Sequence, residues 1–240
     1  MINKKIFLTL LGILISAPLF AQVGSKTDFW EWTEQRNQHD AVVKVVTDGG
    51  IGTGVLVHID LTKEVSGGHY GHVMTAYHVV KDESSIKVKY RNCEKSSKGC
   101  TIVGFDEKHD VALVWVWVPK KIVPAEIAKE AAKGREELEF VGLGGTTKLN
   151  GRLRTFRAYA SKSSNENFLR SDAFLIPGDS GGPVFNKSGQ LVGINSGGWF
   201  WLEEKYIKEE NIKVTWPARA GGVGPMRKLF QKIKMDLAKN

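Results

Sequence analysis

From residue 40 onward, short apolar runs rich in Val, Ile and aromatic residues alternate with polar turns rich in glycine. The first series lies at Ala41–Val46, Gly54–Ile59, Val73–Thr75, Ile86–Tyr90, Thr101–Phe105 and Val111–Val118. Their length, β-branched content and turn spacing predict antiparallel strands closing into a barrel. The stretch Lys120–Glu137, with Pro124 and many Lys and Glu residues, suits a connection between two halves. A second series follows at Leu138–Leu143, Leu153–Tyr159, Ala173–Leu175, Pro183–Phe185 and Leu191–Asn195. Helical signals occur only at the ends. Asp28 and Glu31 form a helix start for a segment running to about His39, and Met226, Leu229, Phe230 and Ile233 recur at the spacing of one helical face. The prediction is an all-β fold of two antiparallel β-barrels with a C-terminal α-helix.

The glycines of Gly49-Gly50-Ile51-Gly52-Thr53-Gly54-Val55 are followed by no helical pattern, so they read as a hairpin rather than a phosphate cradle. His69 and His72 follow Gly67-Gly68 and are expected on a surface loop.

The N-terminus changes this picture. Lys4 and Lys5 precede an apolar run from Ile6 to Phe20, and Ala21 stands before Gln22. That is the layout of a cleavable export signal over residues 1–21, although Leu19 meets the small-residue rule badly. A retained membrane anchor is the alternative, but the run is short for a stable span. Residues 22–240 then form the working domain, 22–120 the first barrel and 121–240 the second barrel with the helix. Losing Lys4 and Lys5 takes the net charge from +8 to +6. The basic residues are scattered with no nucleic-acid motif around them, so no nucleic-acid partner is expected. In an oxidising compartment Cys93 and Cys100, which flank a polar loop between two predicted strands, are expected to form a disulfide stapling a hairpin. One cysteine pair gives no zinc layout, so neither metal nor other cofactor is expected.

The chemistry is concentrated in Pro177-Gly178-Asp179-Ser180-Gly181-Gly182-Pro183. A serine is a poor nucleophile unless a base takes its proton and donors meet the developing oxyanion. The flanking glycines permit a tight turn, and the backbone N–H groups of Gly178 and Ser180 are the candidate donors. His78 follows the apolar run Val73-Met74-Thr75-Ala76, and Asp110 stands at the mouth of Val111-Ala112-Leu113-Val114. Asp106 and His109 compete for attention, but Asp106 reads as part of a polar turn and His109 as exposed. The ordered motifs Thr-Ala-x-His, Asp-x-Ala-Leu and Gly-Asp-Ser-Gly-Gly-Pro resemble the chymotrypsin/trypsin-like serine proteases. The spacing is similar to compact bacterial members, including the HtrA-type protease domain without its PDZ module.

The resemblance implies His78 as general base and then acid, Asp110 as the carboxylate that orients it, Ser180 as nucleophile, and a cleft between two chymotrypsin-like barrels. Loss of such a carboxylate lowers turnover by ~10⁴ in enzymes of this kind. It further implies a first specificity pocket near Phe174, with Ser196 and Gly198 offering a strand edge to the substrate main chain. No acid stands at Phe174, so an uncharged side chain is the expected preference. The reading is an exported, monomeric serine endopeptidase acting on polypeptides. A silent binding protein on the same scaffold is the alternative, against which the retention of all three side chains counts. An esterase is less favoured, because the strand-to-helix nucleophile elbow is missing. Asp179 stands where HtrA-type members carry asparagine, and the Ile-Val-Gly-Gly start of animal zymogens is absent. A buried Asp179 therefore needs an internal arginine or a polar network as its partner.

Overall fold

The pairing of apolar runs builds two curled antiparallel sheets in succession along the chain. The structure, a computed structural model, describes residues 37–91, 93–144, 153–198 and 218–237. The export signal, most of the N-terminal helix expected up to about His39, and the Trp199-Phe200-Trp201-Leu202 cluster lie outside the described residues. Residues Asn37–Ala41 form a 3-10 helix. In the first sheet β1 (Val42–Thr47), β2 (Ile51–Val65), β3 (Gly68–Thr75), β4 (Ile86–Tyr90), β5 (Ser96–Ser97), β6 (Thr101–Asp106) and β7 (Val111–Pro119) stand in the order β5-β4-β1-β2-β3-β7-β6. In the second, β8 (Glu137–Gly142), β9 (Arg154–Tyr159), β10 (Phe168–Ser171), β11 (Pro183–Phe185), β12 (Leu191–Gly198) and β13 (Ala218–Gly222) stand in the order β10-β13-β12-β11-β8-β9. A single helical turn, α1 (Tyr77–Val80), follows β3, and α2 (Val223–Leu237) follows β13. Among the described residues no helix is long and apolar enough to cross a membrane.

Alternation explains which face each strand buries. Along β7, Val114, Val116 and Val118 are buried while Trp115 and Trp117 are half-buried on the other face. Such a period of two is what a pleated strand with one core face demands. Met226 and Leu229 of α2 are buried, as their helical spacing predicts.

Several expectations are corrected. The strand expected at Ala173–Leu175 is absent; the pairing strand is β10, five residues earlier, and β13 was not anticipated. The turn after β2 is confined to Ser66-Gly67, so His69 and His72 lie within β3, and His72 is buried. The strands on either side of Cys93 and Cys100 do not form a hairpin: β4 and β6 stand near opposite edges of the first sheet, and β5 folds back on β4 between them. Both cysteines are free thiols rather than the expected disulfide. Cys100 is buried, its thiol donates to Ser97 Oγ at 3.2 Å, and burial pushes its pKa up.

Candidate active site

The register of β3 against β7 brings two distant residues together. Thr75 pairs with Ala112 at one end of the ladder. His78, three residues beyond Thr75, and Asp110, two residues before Ala112, therefore emerge side by side. The α1 turn aims both groups of His78 at the carboxylate: its backbone N–H donates to Asp110 Oδ1 at 2.8 Å, and its Nδ1 lies 2.6 Å from Oδ2. Asp110 Oδ2 also accepts from Ser196 Oγ at 2.5 Å, a contact that crosses from the second sheet. Burial opposes ionisation of Asp110, but the bonds from His78 and Ser196 outweigh it and hold the carboxyl below its usual range. His78 keeps 48% of its side-chain surface exposed.

Ser196 reaches Asp110 because β12 is irregular there. The pairing with β13 shifts between Asn195 and Gly197, and Gly197 has φ +138°. A bulge of this kind re-aims a side chain. Beyond Asn195, whose N–H donates to the Gly182 carbonyl, the Ser196–Gly198 segment pairs on one side with β13. Among the described residues its other edge carries no strand. Phe174 is 43% exposed, and its carbonyl accepts from Arg154 Nη2 at 3.3 Å.

Ser180 arrives from the second sheet on the turn that precedes β11. Gly178 and Gly181 both adopt left-handed backbone, with φ +95° and +85°, a region open mainly to glycine. At Gly181 a Cβ would overlap the Thr53 carbonyl and the Thr75 hydroxyl, so the turn presses directly on the segment leading to His78. Among the described residues neither the Gly178 nor the Ser180 N–H donates to another backbone group. No hydrogen bond joins His78 to Ser180 among the described contacts.

Two residues that the sequence reading missed or left unassigned hold this turn. Thr53, fully buried in β2, donates its N–H to the Ser180 carbonyl at 2.8 Å and its hydroxyl to the Gly178 carbonyl at 2.7 Å. The same hydroxyl accepts from the Leu143 N–H at 2.9 Å. Its signal was a polar residue inside an apolar strand, masked by the glycines on both sides. Arg154 is the internal partner required for Asp179. It pairs with the fully buried carboxylate through Nη2, and the N–H groups of Gly144 and Ile176 donate to the same carboxylate at 3.0 Å each.

His109 was expected to be exposed, but its side chain is only 12% exposed and bonds Asp106 at 2.8 Å. Its ring packs on Phe168 from the second sheet, which explains the burial. Among the described residues no group of three His, Cys, Asp or Glu side chains is arranged to hold a metal.

Residues 52–194 match the family model of the trypsin-like peptidase domain. The chain is 31% identical over 151 residues to the periplasmic serine endoprotease DegP of Salmonella typhimurium, covering 61% of this chain and 30% of that protein. It is 29% identical over 135 residues to the chloroplastic Protease Do-like 1 of Arabidopsis thaliana, covering 52% of this chain and 30% of that protein. The chain thus spans about a third or less of the length of these relatives. Among solved structures it is similar to a serine endoprotease from Yersinia pestis (TM-score 0.61, 22% identity, 86% of this chain and 67% of that one). It is also similar to the MamO protease domain of Magnetospirillum magneticum (TM-score 0.59, 19% identity, 81% of this chain and 97% of that one).

Proposed function

Since the chain belongs to the trypsin-like peptidase family, we propose that it is an exported serine endopeptidase that cleaves polypeptides through Ser180, His78 and Asp110. The observation that carries this reading is the paired hydrogen bonding of His78 to Asp110, with the Ser180 turn packed against the segment that leads into His78. In the proposed cycle, Ser180 Oγ attacks the scissile carbonyl while His78 takes its proton. The backbone N–H groups of Gly178 and Ser180 meet the oxyanion. His78 then gives the proton to the departing amine, leaving an acyl group on Ser180. Water, deprotonated by His78, attacks the acyl carbonyl and releases the second product. Asp110 stays ionised throughout and fixes the imidazole tautomer, a role favoured by its low pKa.

In this reading the open edge at Ser196–Gly198 pairs with the substrate main chain, and Phe174 borders the first side-chain pocket. Export is supported by the pattern of residues 1–21 and by relatives whose names call them periplasmic. The proposal is tested by incubating the purified protein and its Ser180→Ala variant with an unfolded, casein-like polypeptide. Cleavage by the parent and none by the variant is expected; equal cleavage by both would remove Ser180 from the mechanism.

A further inference from the structure

Asp110 has φ +56°, a left-handed conformation that a non-glycine residue holds when its surroundings impose it. Its N–H donates to the Glu107 carbonyl and its carbonyl accepts from the Tyr77 N–H, both in the first half of the chain, and the second sheet packs against the same turn. The turn Lys108-His109-Asp110 between β6 and β7 lies against β10 and β13. The His109 N–H and Nδ1 engage the Asp106 carboxylate at 3.1 and 2.8 Å, and the imidazole packs on Phe168 with ring centroids 4.8 Å apart. Arg219 of β13 completes the cluster. Its guanidinium carbon lies 4.0 Å from the centroid of Phe168, and Nη2 donates to the Lys108 carbonyl at 3.1 Å. The guanidinium is within electrostatic reach of both Asp110 and Arg170. Nε of Arg219 and Nε2 of His109 are buried with no partner among the described residues, so the cluster is packed for shape rather than for full hydrogen bonding. Of its contacts, the stacking on Phe168 lies within the second sheet and the bond to the Lys108 carbonyl crosses to the first.

We propose that Arg219, packed on Phe168 and bonded to the turn that carries Asp110, is a positioning residue that presents the Asp110 carboxylate to His78 and sets the charge around it. This rests on the triad reading above. Asp110 is bonded by His78 from α1 and Ser196 from β12 and lies within electrostatic reach of Arg219 from β13; the other charged or titratable groups nearby in the fold are Arg170 of β10, which pairs with Arg219, and Lys108, His109 and Asp106 on its own turn. A positive charge near Asp110 opposes a second one on His78. Removing Arg219 therefore favours the imidazolium, and the acid limb of the kcat/KM profile moves to higher pH.

The test compares parent, Arg219→Gln and Arg219→Lys on one peptide substrate, after equal folded fractions are verified by thermal melts. Arg219→Gln is expected to lower kcat about 10-fold or more with little change in KM, and to raise the acid limb by about half a pH unit. Arg219→Lys keeps the acid limb but recovers only part of kcat, because an ammonium cannot stack on Phe168 as a planar guanidinium does. Unchanged kcat and an unmoved acid limb in Arg219→Gln overturn the proposal. An activity-free arm separates it from the triad reading: Arg219→Gln and Asp110→Asn are combined, and urea midpoints of single and double variants are compared. Non-additive midpoints support the coupling of Arg219 to Asp110 even if the parent proves unable to hydrolyse peptides. Additive midpoints overturn it.

Discussion

Asp179 is the residue whose environment decides most, because a fully buried carboxylate beside Ser180 must be neutralised from within. Arg154 does this, with two backbone N–H groups completing the shell. Replacing Arg154 by Leu would strand the charge, and stranding a buried charge costs about 3–5 kcal/mol. A drop of that size in urea-derived stability is expected, with loss of activity because the Ser180 turn is anchored by Asp179. Combining Arg154→Leu with Asp179→Asn, which removes the charge but keeps an amide oxygen as an acceptor for the Gly144 and Ile176 N–H groups, is expected to recover much of the stability. If the single variant were as stable as the parent, the ion pair would not be what holds the turn. Asp179 was recognisable in sequence as a residue needing a partner. Arg154 was not identifiable, because the sequence does not show which basic residue of a scattered set the register of β9 brings inward.

At the scale of elements, short apolar runs bounded by turns located β4, β7, β8 and β11 closely, with alternation throughout β4 and in the second half of β7, and near-continuous burial along β8 and β11. The pattern failed where tertiary pairing decides. β13, Ala-Arg-Ala-Gly-Gly, has neither branched residues nor alternation, and is a strand because β10 and β12 flank it. β3 was read short because its glycines and histidines look like turn chemistry, yet they continue the ladder with β7. One consequence is His72, buried in β3 with its Nδ1 3.1 Å from that of His58. Burial first, and then the neighbouring His58, push its pKa from 6.5 down to about 4. Between those values the unfolded chain takes up a proton that the folded chain refuses. Stability therefore falls as pH drops from about 6.5 to about 4, by up to about 3 kcal/mol from this group. Urea midpoints across that window are expected to fall less steeply in His72→Gln than in the parent. Parallel curves would contradict this account of the His58–His72 pair.

Across the whole molecule, the site exists only where the two sheets meet. The first contributes His78 and Asp110, the second Ser180 and Ser196, and Thr53, Arg219 and Phe168 tie the two together. The motif residues were legible because their chemistry constrains local sequence: glycines around a strained serine turn, a strand before the imidazole, a strand after the carboxylate. The ties between sheets were not legible, because a contact such as Thr53 to Gly178 spans 125 residues with no local pattern. The central claim is that His78 activates Ser180 across this junction. Its most direct measurement is reaction of the purified protein with a fluorophosphonate probe, followed by peptide mapping of the modified residue. The account predicts covalent modification at Ser180 that disappears in His78→Ala while the variant stays folded. Modification at another residue, or undiminished modification of Ser180 in the variant, would contradict it.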